Sequence, residues 1–378
     1  MLVQGPVDRC RKLAVLMLML LVAGCASRPG PEVLSPVGPA PGIAQVTVYT
    51  ATTRAPSGDE ALHFTSERAH AMRFARYTVA IPPVHQPSQI EWPTGTPDPS
   101  RSFAVVDRTV LAQQAFLDEV QAASRSTANV GAGIFVHGFN YNFPETVFRL
   151  AQLSADATLE GPQIAFSWPS QANLRGYLDD LNSATYSRDY LAELIIDVAA
   201  RTRGDIAIVG HSMGAWLVME TVRQLRLEGY DQVIGRLRVI LAAPDIDVDV
   251  FRQQLQVIGP LDRPMMVLVS PDDRALLFSE LLSASRPRIG TSDVRDPEVQ
   301  AAARANNVQI VDISALADTS GAGHDRYIAL ATTIPDDQGP AGPAPLRDIR
   351  RAGVFILDAL GATLATPFDL AGQALGGE

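Results

Sequence analysis

Residues 205 to 216 read DIAIVGHSMGAW, and Gly210-His211-Ser212-Met213-Gly214 within them has the G-x-S-x-G spacing of a serine nucleophile held on a tight turn. The chain must pass sharply from strand to helix there, which crowds the backbone around the serine. Glycine on either side tolerates that crowding at least cost. The turn lifts the Ser212 hydroxyl above the strand ends, beside the first backbone N–H groups of a helix starting near Met213, where a developing oxyanion can be bound. The flanks suit this reading: Ile206 to Val209 has the pattern of a short buried strand, and Ala215 to Leu227 carries helical apolar spacing.

A hydroxyl nucleophile needs a base and a group to orient that base. In the strand-end arrangement these follow the serine in chain order, acid before histidine. Of the six histidines, His63, His70, His85 and His137 precede Ser212, and His211 lies inside the turn itself. His324, in Ser320-Gly321-Ala322-Gly323-His324-Asp325, is the one downstream, on a loop after the last expected strand. Its neutral imidazole would take the Ser212 proton and return it to the leaving group, work typically contributing ~10²–10⁴-fold in rate. Asp245, Asp247, Asp249, Asp272 and Asp273 all lie in loops between Ser212 and His324. The first three follow the strand around Leu237 to Leu241 and enter a helix, where aspartate commonly caps exposed N–H groups. Asp272 and Asp273 directly follow the strand Met265 to Val269, the place that usually supplies the acid, so Asp273 ranks first, Asp272 second and Asp245 third.

Ile134-Phe135-Val136-His137-Gly138-Phe139-Asn140 is a second strand-to-turn signal. Its HG pair is similar to the loop that completes the oxyanion hole in lipases and esterases. The expected donors are the backbone N–H groups of Phe139 and Met213, each worth ~3 kcal/mol of transition-state stabilisation. His137 reads as a structural residue hydrogen-bonded beneath that loop.

The elements that must position these groups alternate along the chain. Strands are expected at Gln45 to Tyr49 and Met72 to Ile81 (half-buried, antiparallel), then at 133 to 137, 163 to 167, 205 to 209, 237 to 241, 265 to 269 and 308 to 313. Helices are expected at 112 to 124, 145 to 156, 186 to 201, 249 to 256 and 275 to 283. Parallel strands joined by crossover helices give an α/β class fold with helices on both faces of the sheet, antiparallel strands at its N-terminal edge and active groups at the carboxyl ends. At 378 residues and 47% apolar content, one decorated domain is the simplest partition.

The amino terminus reads as an export signal: Arg9, Arg11 and Lys12 precede the apolar run Leu13 to Val22, and Ala23-Gly24-Cys25 follows. Leu21 to Cys25 resembles a bacterial lipobox, which implies cleavage after residue 24, acylation of Cys25 and anchoring in the envelope. Ala26 suits sorting to the outer membrane, facing the periplasm. Cys10 lies in the signal and Cys25 carries lipid, so no thiol remains for a disulfide, a metal or catalysis. Losing three basic residues and Asp8 turns 31 basic and 41 acidic residues into 28 and 40, a charge of −12 that disfavours nucleic acid as a partner. Lys12 is the only lysine, which excludes a Walker-type ATPase. The expected partition is signal 1–24, Pro/Gly-rich tether 25–43, catalytic domain 44–333, linker 334–347 and apolar C-terminal extension 348–378.

Together these motifs resemble a family of bacterial α/β-hydrolases of unknown function within the esterase/lipase superfamily, often exported lipoproteins. The likeness covers most of residues 45 to 330. It rests on Tyr49-Thr50-Ala51-Thr52-Thr53-Arg54, VHGFN at 136 to 140, Phe166-Ser167-Trp168-Pro169-Ser170, GHSMG, AAPDID at 242 to 247 and Asp273-Arg274-Ala275-Leu276. The resemblance implies the α/β-hydrolase fold, favours Asp273 through its Asp-x-Ala-Leu pattern and fits His324 as the downstream histidine. Trp168 and Tyr177 either roof an acyl pocket or, for Trp168, pack on the sheet edge; Arg54, Asp179 and Asp180 are candidates for ion pairs nearby. The expected activity is cleavage of a small ester or lipid-like substrate through an acyl-enzyme, without metal or organic cofactor. The same triad also serves peptidases and thioesterases, and a noncatalytic envelope-binding lipoprotein is the alternative outside enzymes.

Overall fold

The computed structural model describes residues 28–58, 64–127, 130–157, 159–282, 286–318 and 321–330. The signal 1–24, Cys25, the linker 334–347 and the extension 348–378 lie outside the described residues.

Among the described residues nine strands form one sheet: β1 Gln45–Pro56, β2 Phe64–Ala80, β3 Ala104–Leu111, β4 Val130–Val136, β5 Gln163–Ser167, β6 Asp205–His211, β7 Leu237–Ala242, β8 Met265–Val269 and β9 Val308–Asp312. Their spatial order is β3-β2-β1-β5-β4-β6-β7-β8-β9. β1, β2 and β3 pair antiparallel, and every pair from β1–β5 onward is parallel. The helices are α1 Gln113–Ser124, α2 Phe143–Asp156, α3 Tyr177–Arg201, α4 Met213–Leu227, the single turn α5 Asp231–Ile234, α6 Val248–Ile258, α7 Arg274–Leu282 and α8 Pro297–Ala305.

The continuous apolar runs of the central strands follow from burial on both faces. In β6, Ile206 and Ile208 enter the core shared with α1, α3, α4 and α6, while Ala207 and Val209 enter the core under α2. β8 repeats the alternation, with Met265, Val267 and Val269 on the first side and Met266 and Leu268 on the second. Each of the larger of these side chains, the Ile, Val, Leu and Met, contributes roughly 1.5–3 kcal/mol on full burial.

Several elements differ from the sequence expectation. β3 and α8 appear where no element was read, and α3 starts at Tyr177 rather than 186. Residues 28–43 are a correction to the tether. A 3₁₀ turn, Pro31–Leu34, buries Val33 and Leu34 in the core under α2, and the Val37 N–H donates to Val105 O of β3 at 2.9 Å. Pro/Gly content forbids regular structure without forbidding docking, and the scattered Val33, Leu34 and Ala40 suffice to seat the strip.

Candidate active site

The turn at the carboxyl end of β6 is built by close backbone approach. Ser212 has φ 54° and ψ −121°, a conformation L-residues rarely adopt, held by its N–H to Ala242 O at 2.9 Å and its carbonyl to the N–H groups of Ala215 at 3.0 Å and Asp245 at 3.2 Å. A Cβ at Gly210 would lie 2.7 Å from Ala215 Cα, and one at Gly214 2.3 Å from His137 O. Both sites therefore admit hydrogen alone. The HG loop closes from the other side, since a Cβ at Gly138 would stand 2.8 Å from Ser212 Cβ. Met213 begins α4, so its N–H has no carbonyl a turn earlier within the helix.

Asp273 and His324 meet directly. His324 Nδ1 lies 2.7 Å from Asp273 Oδ2, and Asp273 is fully buried. Asp273 Oδ1 accepts from the N–H groups of Ala275 at 2.9 Å and Leu276 at 3.0 Å, so the carboxylate caps α7 while it faces the imidazole. The His324 loop is pinned on both flanks: the Arg274 N–H donates to Ala322 O at 2.9 Å, and Arg326 clasps Asp272. His211, adjacent to Ser212, brings the two halves of the site together. Its Nε2 lies 3.3 Å from His324 O and its ring centroid 4.7 Å from that of His324.

Burial pulls the His324 pKa down, but the hydrogen bond and charge of Asp273, with Asp325 and Asp245 behind, outweigh it and the net direction is upward. Burial, reinforced by the His324 charge, holds His211 well below the ordinary histidine value.

The competing acids are placed elsewhere. The Asp272 side chain is 61% exposed, and its hydrogen bond with Arg326 draws its pKa down. Asp245 accepts from Ser279 Oγ at 2.6 Å and Tyr177 Oη at 2.9 Å and faces Arg288 Nε at 3.2 Å. Asp247 caps α6 through the N–H groups of Asp249 and Val250, and Asp249 pairs with Arg252 and Arg286. Among the described residues no group of three or more His, Cys, Asp or Glu is arranged to hold a metal ion.

Beneath the HG loop, His137 is fully buried between Trp168, stacked at 4.8 Å, and Tyr141, stacked at 5.5 Å. Its Nδ1 is 2.8 Å from Gly138 O, and Trp168 Nε1 donates to His137 O at 2.8 Å. Burial, then the Arg54 charge, lowers its pKa to about 3, so the ring is neutral. Trp168 is itself wholly buried. Tyr177, half-buried, sets its ring edge-on to Phe139 at 5.4 Å.

Arg54 is nearly inaccessible and touches no carboxylate. It donates to Ser167 Oγ at 2.9 Å and to three carbonyls, Tyr141 O at 2.8 Å, Ser170 O at 3.1 Å and Thr65 O at 3.3 Å. Asp180 lies one residue further, accepting from Ser170 Oγ at 2.5 Å and the Gln171 N–H at 2.6 Å, while Asp179 pairs with Arg68 at 3.5 Å. The guanidinium thus ties the loops after β4 and β5 together.

Sequence reasoning assigned no contact to Arg28. Its guanidinium donates to Glu145 Oε1 at 2.8 Å, Asn140 Oδ1 at 2.9 Å and Ala172 O at 2.7 Å, and also to Asn140 O. Glu145 is at the same time half of the capping box with Asn142 that starts α2. Nothing local marks such a contact, because its partners lie more than a hundred positions away.

Residues 112–336 match the model of a family described as alpha/beta hydrolase of unknown function (DUF900). No curated protein gives a significant match. Among solved structures, a protein described as a yden-like hydrolase from Pectobacterium atrosepticum is similar at 16% identity and TM-score 0.28, over 52% of this chain and 82% of that one. Lipase B of Aspergillus fumigatus is similar at 14% identity and TM-score 0.36, over 65% of this chain and 62% of the lipase, under two thirds of its length. A hydrolase from Agrobacterium vitis S4 is similar at 12% identity and TM-score 0.27, over 70% and 97%.

Proposed function

The chain belongs to the DUF900 family of alpha/beta hydrolases, and on that premise we propose that it is a serine hydrolase cleaving carboxylic esters through an acyl-enzyme, anchored by lipid at Cys25 in the bacterial envelope and facing the periplasm. The observation that carries the reading is the 2.7 Å contact of buried Asp273 with His324, supported by the φ of 54° that Ser212 adopts on its turn.

Ser212 Oγ attacks the ester carbonyl as His324 Nε2 takes its proton. The N–H groups of Phe139 and Met213 face the oxyanion. His324 returns the proton to the leaving alkoxide as the ester C–O bond breaks. Water then repeats the sequence, its oxygen displacing Ser212 Oγ to release the acid. Asp273 orients the ring and stabilises the imidazolium without taking the proton.

A fluorophosphonate probe tests this before any natural substrate is known. It should label the wild type and Asp231→Ala, whose aspartate makes an exposed pair with Arg226, and should leave Ser212→Ala and His324→Ala unlabelled. Wild-type protein that resists the probe and cleaves no short-chain p-nitrophenyl ester would end the proposal. Cys25→Ser should abolish incorporation of labelled fatty acid and release the protein from the membrane with esterase activity intact.

A further inference from the structure

We propose that the active-site face lies on the bilayer and that the substrate is an acyl ester of a membrane lipid, drawn from the leaflet that holds the anchor. This rests on the serine-hydrolase and Cys25 readings above and adds an orientation and a substrate class to them.

The first observation is the length of the leash. Arg28 is fixed to Asn140 in the loop bearing Phe139, to Glu145 at the start of α2 and to Ala172 O in the loop after β5, and Asn142 Nδ2 donates to Pro29 O at 2.7 Å. Three residue steps separate Cys25 from Arg28. Even fully extended they span roughly 10 Å. An acylated Cys25 therefore cannot lie farther than that from the clamp on the HG loop. With chains inserted at Cys25, the loop side of the molecule is held at the headgroups.

The second observation is what that side exposes. Six of the eleven exposed large apolar side chains among the described residues are Leu174 and Leu178, flanking the start of α3, and Leu277, Phe278, Leu281 and Leu282 on α7, at 43 to 73% exposure. The two segments meet where Tyr177 Oη stands 3.0 Å from Ser279 Oγ. Leu174 is two residues from Ala172, which Arg28 holds, and α7 begins beside Asp273, which faces His324. Tyr177 in turn packs on Phe139. The apolar rim is thus tied to the clamp, the acid and the HG loop at once. Exposed Arg175 and Arg274 sit in the same two segments, balanced by exposed Asp179 beside Leu178 and by Glu280 on α7, so the apolar side chains rather than net charge mark this face. Large apolar side chains clustered on one face, rimmed by polar groups, suit contact with a lipid surface.

A lipid ester entering from the leaflet would meet Ser212 without its acyl chain crossing water. Fatty acid forms with the water oxygen on the acyl carbon, and the lysolipid alcohol leaves with the proton passed by His324.

Nitroxide depth measurements test the orientation independently of turnover. With Cys25 acylated and Cys10 removed, a single introduced cysteine takes the label. Leu178→Cys, Leu281→Cys and Leu227→Cys are each made in the full chain and reconstituted in phosphatidylethanolamine/phosphatidylglycerol vesicles. Leu227 is the control, exposed at the end of α4 and about 20 Å along that helix from the turn. Oxygen, relative to a water-soluble nickel chelate, should relax labels at 178 and 281 at least about fivefold more than at 227. Equal nickel access at all three would overturn the orientation, and labelling of wild-type protein would reveal a free Cys25 thiol and overturn the anchor. In the substrate arm, wild-type protein should release fatty acid from the vesicles. Cleavage of p-nitrophenyl butyrate with no fatty acid released would overturn the lipid substrate and leave the esterase standing. Failure on both, with no probe labelling, would remove the hydrolase reading itself.

Discussion

At Asp273 one carboxylate serves two structures, Oδ1 capping α7 and Oδ2 receiving His324. An asparagine can keep the first role and cannot supply the charge of the second. Asp273→Asn should lower kcat by ~10⁴-fold, the loss seen when a triad histidine loses its anionic partner. It should also move the acid limb of kcat/KM to lower pH, because the influence that raises the His324 pKa is gone. Asp272→Asn, which breaks an exposed pair with Arg326, should cost less than about tenfold. Rates of p-nitrophenyl butyrate acylation across pH check both, and equal losses would place the acid in doubt. Sequence brought the choice to these adjacent residues but could not aim them. Pro271 and the turn after β8 decide that one aspartate is wholly buried while its neighbour is mostly exposed, a difference of backbone direction rather than of residue type.

Among the elements, β1 places the side chain that links the loops of the site. Arg54 satisfies one hydroxyl and three carbonyls with a planar fork that an ammonium cannot reproduce. Arg54→Lys should destabilise the fold by about 2–3 kcal/mol, given that hydrogen bonds to charged groups contribute ≈ 1.5–3 kcal/mol each. Urea unfolding measures this, and an unchanged midpoint would deny Arg54 its part. The elements most legible from sequence were those buried on both sides: β5 and β8 fall on the residues expected from their apolar runs. β3 was missed because only its first three residues are buried and the rest follow no strict alternation. α8 was missed because none of its residues is buried, so no apolar stripe marks it. The polar first turns of α3 hide its start in the same way, with Asp180 turned inward to Ser170 where an apolar residue would be the usual signal.

Across the whole molecule, the histidines with shifted pKa values among the described residues, two buried and two half-buried, divide into two kinds. His137, lowered to about 3, and His211, also lowered, are neutral in the fold; their ordinary value of 6.5 applies once it unfolds. Their contribution is complete above 6.5 and fades as pH falls below it. From His137 alone the loss reaches about 2 kcal/mol at pH 5 by linkage. His324 and His85, raised by their carboxylate partners against burial, act in the opposite sense: their stabilisation is complete below 6.5 and is lost as pH rises through the folded value. NMR of the imidazoles should find His137 and His211 unchanged between pH 7 and 5, while the His324 midpoint lies above the ordinary histidine value. Titration of His137 in that window would contradict its burial between Trp168 and Tyr141.

The strip from Arg28 to Ala40 changes where the protein can be cut. Composition invites a boundary at residue 44, discarding a Pro/Gly-rich leader. That cut would uncover the outer side of β3 at Val105, empty the seats of Val33 and Leu34 and leave Glu145 without Arg28. An unprotected sheet edge beside vacated apolar surface is a template for strand pairing between molecules. Recombinant protein beginning at residue 44 should therefore elute as soluble aggregates on gel filtration where protein beginning at residue 28 elutes as a discrete species.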